Sequence, residues 1–149
     1  MNKKVILLVE DNPDHELLTI RALRQHGLAG DIVVARDGVE ALEYLFGDGA
    51  RNGEAGHGLP HVILLDLKLP RIDGLEVLHQ VRSHRRTRRL PVVVLTSSDD
   101  EKDMADSYDR GANSYIRKPV DFREFSRITR QLGEYWLNLN QAPPMVGGM

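Results

Sequence analysis

The sequence predicts an α/β fold, a doubly wound domain built on a five-stranded parallel sheet. Three observations carry this. Short apolar runs rich in Val, Ile and Leu recur five times and alternate with segments of helical periodicity. The runs are largely continuous rather than alternating with polar residues, as strands buried on both faces require. Four of them also lead directly into polar side chains: Glu10 and Asp11, Asp66, Thr96 and Lys118. Ligands of open parallel sheets bind outside the carboxyl ends of the strands, so these distant residues are expected to meet in one cleft.

The elements follow in order. Val5 to Val9 is the first strand, and Asp11-Asn12-Pro13 then offers a cap and an early proline for a helix reaching about His26, with Leu17, Leu18, Ala22 and Leu23 on its apolar face. Ile32 to Ala35 is the second strand, and Asp37-Gly38 opens a helix carrying Ala41, Leu42, Leu45 and Phe46. Val62 to Leu65 precedes a loop with Pro70 and a helix from about Asp73 carrying Leu75, Leu78 and Val81. After Val92 to Leu95 comes a polar helix, Asp99 to Gly111, with Met104, Ala105 and Tyr108 on one side and Gly111 as its stop. Ser114 to Arg117 is the fifth strand. From Asp121 a last helix places Phe122, Phe125, Ile128, Leu132 and Tyr135 on one stripe. Tyr135, Trp136, Leu137 and Leu139 cannot all face one sheet, because consecutive helical positions diverge, so an apolar patch is left over.

Composition narrows the function. The 149 residues suit one domain, 41% hydrophobic and 28% charged, and a second domain has no room. A net charge of -2 gives no general attraction to nucleic acid or anionic membranes. The run from Arg82 to Arg89 reads as a solvated helix end whose cations complement the dipole. With no cysteine, disulfides, thiolate metal sites and cysteine nucleophiles are excluded. No signal peptide or bilayer-spanning run is present, which points to a cytoplasmic protein. The six histidines lack metal spacing and read as surface residues. The glycine-rich stretch 47–58 reads as a surface insertion, and residues 141–149 as a flexible tail on a unit spanning 1–140.

Charge dictates the chemistry of the cleft. Two carboxylates about 4 Å apart repel by roughly 4 kcal/mol at an effective dielectric of 20, so three clustered acids need a cation or protons. Oxygen-only ligands favour Mg2+, with Mn2+ as the alternative. Lys118 adds a second positive charge against a phosphoryl group, and Asp66 becomes the nucleophile that forms an aspartyl phosphate.

These residues resemble the receiver domains of two-component response regulators, including the single-domain chemotaxis regulators. The resemblance rests on Glu10-Asp11, on Asp66-Leu67-Lys68-Leu69-Pro70 continued by Asp73-Gly74, on Pro91 to Thr96, on Gly111-Ala112 and on Tyr115-Ile116-Arg117-Lys118-Pro119. It covers Lys4 to about Leu137. It implies a flavodoxin-like strand order of 2-1-3-4-5 and phosphoryl transfer from a sensor histidine kinase to Asp66. It further implies that Asp11, Asp66 and the backbone carbonyl of Lys68 hold the metal, and that Glu10 holds a metal-bound water. Thr96 and Lys118 would contact the phosphoryl group, Thr96 and Tyr115 would form the switch, and Lys118-Pro119 would be a cis peptide.

Within this family the chain is most similar to the small regulators paired with bacterial phytochromes. Val9 to Asp14, the long insertion before the third strand and Glu134-Tyr135-Trp136-Leu137 carry that likeness. It implies a bacteriophytochrome as the kinase and a homodimer through the last helix. Glu10 in place of the more frequent aspartate and Lys68 beside the acceptor depart from the commonest pattern. Two other readings stay open. A haloacid dehalogenase-type phosphatase would need a second acid two residues after Asp66, where Lys68 stands. A phosphorylation-independent pseudo-receiver would be expected to lack some of the site residues.

Overall fold

The protein is described by a computed structural model, over residues 4–25, 30–47 and 59–144. Strands and helices alternate as β1 (Val5–Val9), α1 (Pro13–Arg24), β2 (Asp31–Ala35), α2 (Gly38–Phe46), β3 (Val62–Leu65), α3 (Gly74–Ser83), β4 (Val92–Thr96), α4 (Glu101–Asp109), β5 (Ser114–Arg117) and α5 (Phe122–Gly133). The strands pair in parallel in the order β2-β1-β3-β4-β5, as expected. Each of α1 to α5 starts on an Asx cap, at Asn12, Asp37, Asp73, Asp100 and Asp121, whose side chain accepts from the first-turn amides. Short connections lead from β1, β2, β4 and β5 into their helices, and a longer loop, 66–73, leads from β3 into α3 at the carboxyl rim of the sheet.

Side-chain alternation along the strands builds two apolar layers. Leu7, Val9, Ile63, Leu65 and Val92 pack with Ala41, Leu45, Val77, Leu78 and Val81 of α2 and α3. Ile6, Leu8, Leu64, Val93 and Leu95 pack on the opposite face with Leu23 of α1 and Leu132 of α5. Register aligns the strand ends: Val9 lies opposite both Ala35 and Leu65, Leu65 opposite Val94, and Thr96 opposite Arg117. Glu10, Asp66, Thr96 and Lys118 therefore emerge along one edge.

Several sequence expectations are corrected. Lys118-Pro119 is not cis; no cis peptide bond occurs among the described residues. Trans is the lower-energy isomer even before proline. The Lys118 amide, one peptide earlier, continues the ladder by donating to the Thr96 carbonyl at 2.7 Å. Leu17 of α1 is exposed, as are Met104, Ala105 and Tyr108 of α4. The inward side of α4 is instead polar: Ser107 is buried, and Asp103 one turn earlier accepts from Ser98. Arg82 is not a solvated cation. Its guanidinium is shared by the carbonyls of Gly111, Arg88 and Leu90 and by Asn113 Oδ1, tying α3 to the loop before β5. Gly111 has φ +101, a conformation glycine adopts without strain, and packs directly on Arg82.

The last helix departs from its predicted stripe. Phe125 and Leu132 are buried, but Phe122 and Tyr135 are exposed. Beyond Gly133 the chain continues as a π-helical segment, Glu134–Leu139, which buries Leu137 and leaves Leu139 outside. The insertion 48–58, the first-helix end at His26 and tail residues 145–149 fall outside the described residues. No helix among the described residues is long and apolar enough to cross a membrane.

His61 is structural rather than a surface residue. Its amide donates to the Val5 carbonyl at 2.7 Å, and its Nδ1 accepts from the Val5 amide at 3.0 Å. The imidazole thus stands in for a missing ladder acceptor at the start of β1. That contact needs a lone pair, so the ring must be neutral, and burial together with Lys4 lowers the His61 pKa below 6.5. Folded chains then bind this proton less readily than unfolded ones. The stability it supports is full above about pH 6.5 and is lost as pH falls through the folded value. His61→Leu should cost about 1–3 kcal/mol, because the buried Val5 amide is orphaned. It should also flatten the acid-side decline, as measured by urea unfolding against pH.

Candidate functional site

The site is a polar cluster at the carboxyl rim, directly above the shared end of β1, β3, β4 and β5. Asp66 sits at its centre. Its Oδ1 accepts from Thr96 Oγ1 at 2.8 Å and from the Lys68 amide at 3.3 Å, and its Oδ2 accepts from Lys118 Nζ at 2.9 Å. Lys118 also donates to Glu10 Oε1 at 2.6 Å. Glu10 is 2% exposed, Lys118 6% and Asp66 7%, so the pairs lie largely out of water. Asp11 is exposed at the mouth, and its carboxylate stands with those of Glu10 and Asp66 within a 4.8 Å cluster.

The charges do not balance. Three carboxylates face one ammonium. Burial drives the Glu10 carboxyl up to about 7; Lys118 opposes this and the Asp66 charge adds to it. A hard divalent cation suits this donor set, since it would offset the excess negative charge with oxygen ligands alone. The acidic cluster is thus compatible with a metal site.

Local backbone geometry holds Asp66 in place. The Gly74 amide donates to the Leu67 carbonyl at 2.9 Å, bringing the start of α3 against the acceptor loop. A Cβ on Gly74 would lie 2.3 Å from the Asp66 carbonyl oxygen, too close for any side chain. Gly74→Ala should therefore push the β3–α3 loop outward and destabilise the fold by about 1–3 kcal/mol. An unchanged thermal midpoint would show that the contact relaxes freely.

The structure brings together Glu10, Asp11, Asp66, Thr96 and Lys118, the set expected from strand-end placement. Tyr115 lies further out and donates to the Ser98 carbonyl at 3.1 Å. The Lys68 ammonium turns away from the cleft to pair with Asp103 Oδ2 at 3.2 Å, and the same oxygen accepts from Ser98 Oγ at 2.6 Å. This links the acceptor loop to α4. Sequence reasoning missed Ser98 and Asp103, and it missed His15, whose Nδ1 lies 3.0 Å from Lys118 Nζ. A position in the first turn of α1, at the same rim as Asp11, was the available signal.

Comparison with known proteins shows the family and the fold. The response regulator receiver domain model matches residues 6–130. The probable methanogenesis regulatory protein FilR2 of Methanothrix harundinacea is 43% identical over 93% of this chain and 87% of its own length. The phosphorylated cyanobacterial phytochrome response regulator RcpA is 38% identical and superimposes with a TM-score of 0.86, covering 97% of this chain and all of that one. The Mn2+-bound form of response regulator Rcp1 is 33% identical with a TM-score of 0.85, covering 95% of this chain and 99% of that one. Rcp1 of Synechocystis thus has the same fold along nearly its whole length. Sequence and topology agree: this chain belongs to the receiver domain family of two-component response regulators.

Proposed function

We propose that Asp66 is the phosphoacceptor and that the chain relays a signal from a sensor histidine kinase as a phosphorylation switch. The single observation that carries this is the convergence of Thr96 and Lys118 on opposite oxygens of the buried Asp66 carboxylate, beside an acidic metal cradle. In the transfer, a carboxylate oxygen of Asp66 forms a bond to phosphorus as the bond from the kinase histidine nitrogen breaks. Lys118 neutralises charge on the transferred group, and Thr96 orients one of its oxygens. Asp11, Asp66 and the Lys68 backbone carbonyl would hold Mg2+, with Mn2+ as substitute, and Glu10 would hold one of its waters. That ion supplies charge neutralisation of the phosphoryl oxygens when bound. The protein acts as a signal carrier in the cytoplasm rather than as a turnover enzyme. Incubation with acetyl phosphate and Mg2+ should add one phosphoryl group by intact mass, and an unmodified mass would overturn the reading.

A bacteriophytochrome is the kinase this reading favours, supported by the likeness to RcpA. FilR2 is named for methanogenesis, so kinases of other stimuli are the second reading. Phosphotransfer profiling against purified kinases separates the two. The phosphatase alternative has no support at Lys68, which pairs with Asp103 and offers no acid. The site residues a pseudo-receiver would lack are all in place.

Switching is a population shift in which the phosphoryl group favours the state with Thr96 and Tyr115 drawn inward. The face that changes includes β5, α4 and α5, where Val120 is 94% exposed and Phe122 65%. Output passes to a partner protein. The chain pairs as a homodimer through its last helix, where Tyr135 and Leu139 stay exposed. Light scattering should give twice the chain mass, and a monomeric mass with and without phosphorylation would refute the dimer.

A further inference from the structure

We infer that His15 is a positioning residue for the site, a neutral acceptor that holds Lys118 in line with the phosphoryl group on Asp66. The inference rests on the phosphoacceptor reading above. An ammonium has three N–H donors and no acceptor. Lys118 directs its Nζ toward Glu10 Oε1 at 2.6 Å, Asp66 Oδ2 at 2.9 Å and His15 Nδ1 at 3.0 Å, so each donor has one acceptor. Because Lys118 can only donate, Nδ1 must carry a lone pair and the ring proton must sit on Nε2.

The imidazole is held from two sides. Asn12 Oδ1 accepts from the amides of Asp14 and His15 at 2.9 and 3.2 Å, which fixes the first turn of α1. The buried Phe125 of α5 packs its ring on the imidazole, with centroids 5.6 Å apart. His15 thus reaches the rim from the α1–α5 side, whereas the other two acceptors rise from β1 and β3. Their roles differ as well. Glu10 and Asp66 each take on a further partner when a cation and a phosphoryl group are present, and His15 does not. It is the acceptor Lys118 can keep while it turns from Asp66 Oδ2 to a phosphoryl oxygen. Burial beside Lys118 lowers the His15 pKa, in keeping with a neutral ring.

Two variants isolate the acceptor. Asn places Oδ1 where His places Nδ1, whereas Leu places a methyl there. The rate of phosphoryl uptake from acetyl phosphate should fall about tenfold in His15→Leu, as expected for loss of one hydrogen bond to a charged group. It should return to within about twofold of wild type in His15→Asn, with matching far-UV spectra and unfolding midpoints for the two variants. Long-range 15N correlation spectra of the phosphate-free, metal-free chain at neutral pH should show the Nε2–H tautomer, with an Nδ1 signal that moves in Lys118→Met. Equal uptake by wild type and His15→Leu overturns the inference alone, as does a protonated Nδ1. A wild-type chain that takes up no phosphoryl group overturns the phosphoacceptor reading and this inference with it.

Discussion

Asp66→Asn should yield a fully folded chain that gains no mass from acetyl phosphate and Mg2+ under conditions where the wild type gains one phosphoryl group. The loss is expected to be complete because an amide oxygen cannot supply the carboxylate nucleophile. The structure explains why folding should survive. Asn retains an oxygen for Thr96 Oγ1 and the Lys68 amide, and Lys118 keeps Glu10 at 2.6 Å. Removing one of three clustered negative charges also relieves repulsion, so the urea midpoint in chelator should stay level or rise. Phosphoryl uptake at the wild-type rate would mean that another residue is the acceptor, with Asp11 the first to test. A chain that fails to fold would instead show that the carboxylate is structural.

Lys118→Met should produce the largest stability change of any single substitution at the site. The ammonium pairs with two buried carboxylates at once, and methionine fills much of the volume without the charge. Breaking a buried pair by removing one partner costs about 3–5 kcal/mol, because the stranded charge has neither water nor a counterion. Two controls make the cause testable. Millimolar Mg2+ should recover more stability in Lys118→Met than it adds to wild type, since the cation replaces the missing charge. Adding Asp66→Asn to Lys118→Met should also recover part of the loss, giving a strongly non-additive cycle in urea unfolding. Strict additivity would place the origin of the loss in packing. Phosphoryl uptake in Lys118→Met should fall steeply even where Mg2+ restores the fold, because the charge that meets the phosphoryl oxygens is gone.

The legible part of the fold was what the backbone and the apolar pattern decide locally. The runs at Val5, Val62 and Val92 are buried on both faces and admit only a covered parallel sheet, and the Asx residues Asn12 and Asp73 mark helix starts. The strand-end rule then brought Glu10, Asp66, Thr96 and Lys118 to one rim without any knowledge of packing. Helix faces were less legible where polar residues compete for the inside. In α4 the apolar residues Met104, Ala105 and Tyr108 face solvent, because Asp103 is held inward by Ser98 and Lys68. Arg82 read as one more solvated cation of a basic run, yet four acceptors separated by 6 to 31 residues in sequence hold it in the fold.

By itself, then, the sequence determined the alternating architecture, the open rim and the acid, hydroxyl and lysine set standing on it, because strand period, capping and strand-end placement are properties of short segments. Only the tertiary structure decided the partners of that set: that Lys118 spans Glu10 and Asp66, that Lys68 turns outward to Asp103, and that His15 and His61 accept hydrogen bonds rather than face solvent. Hydrogen-bond partners separated by 35 to 108 positions are chosen by register and helix packing, and no local pattern encodes those distances.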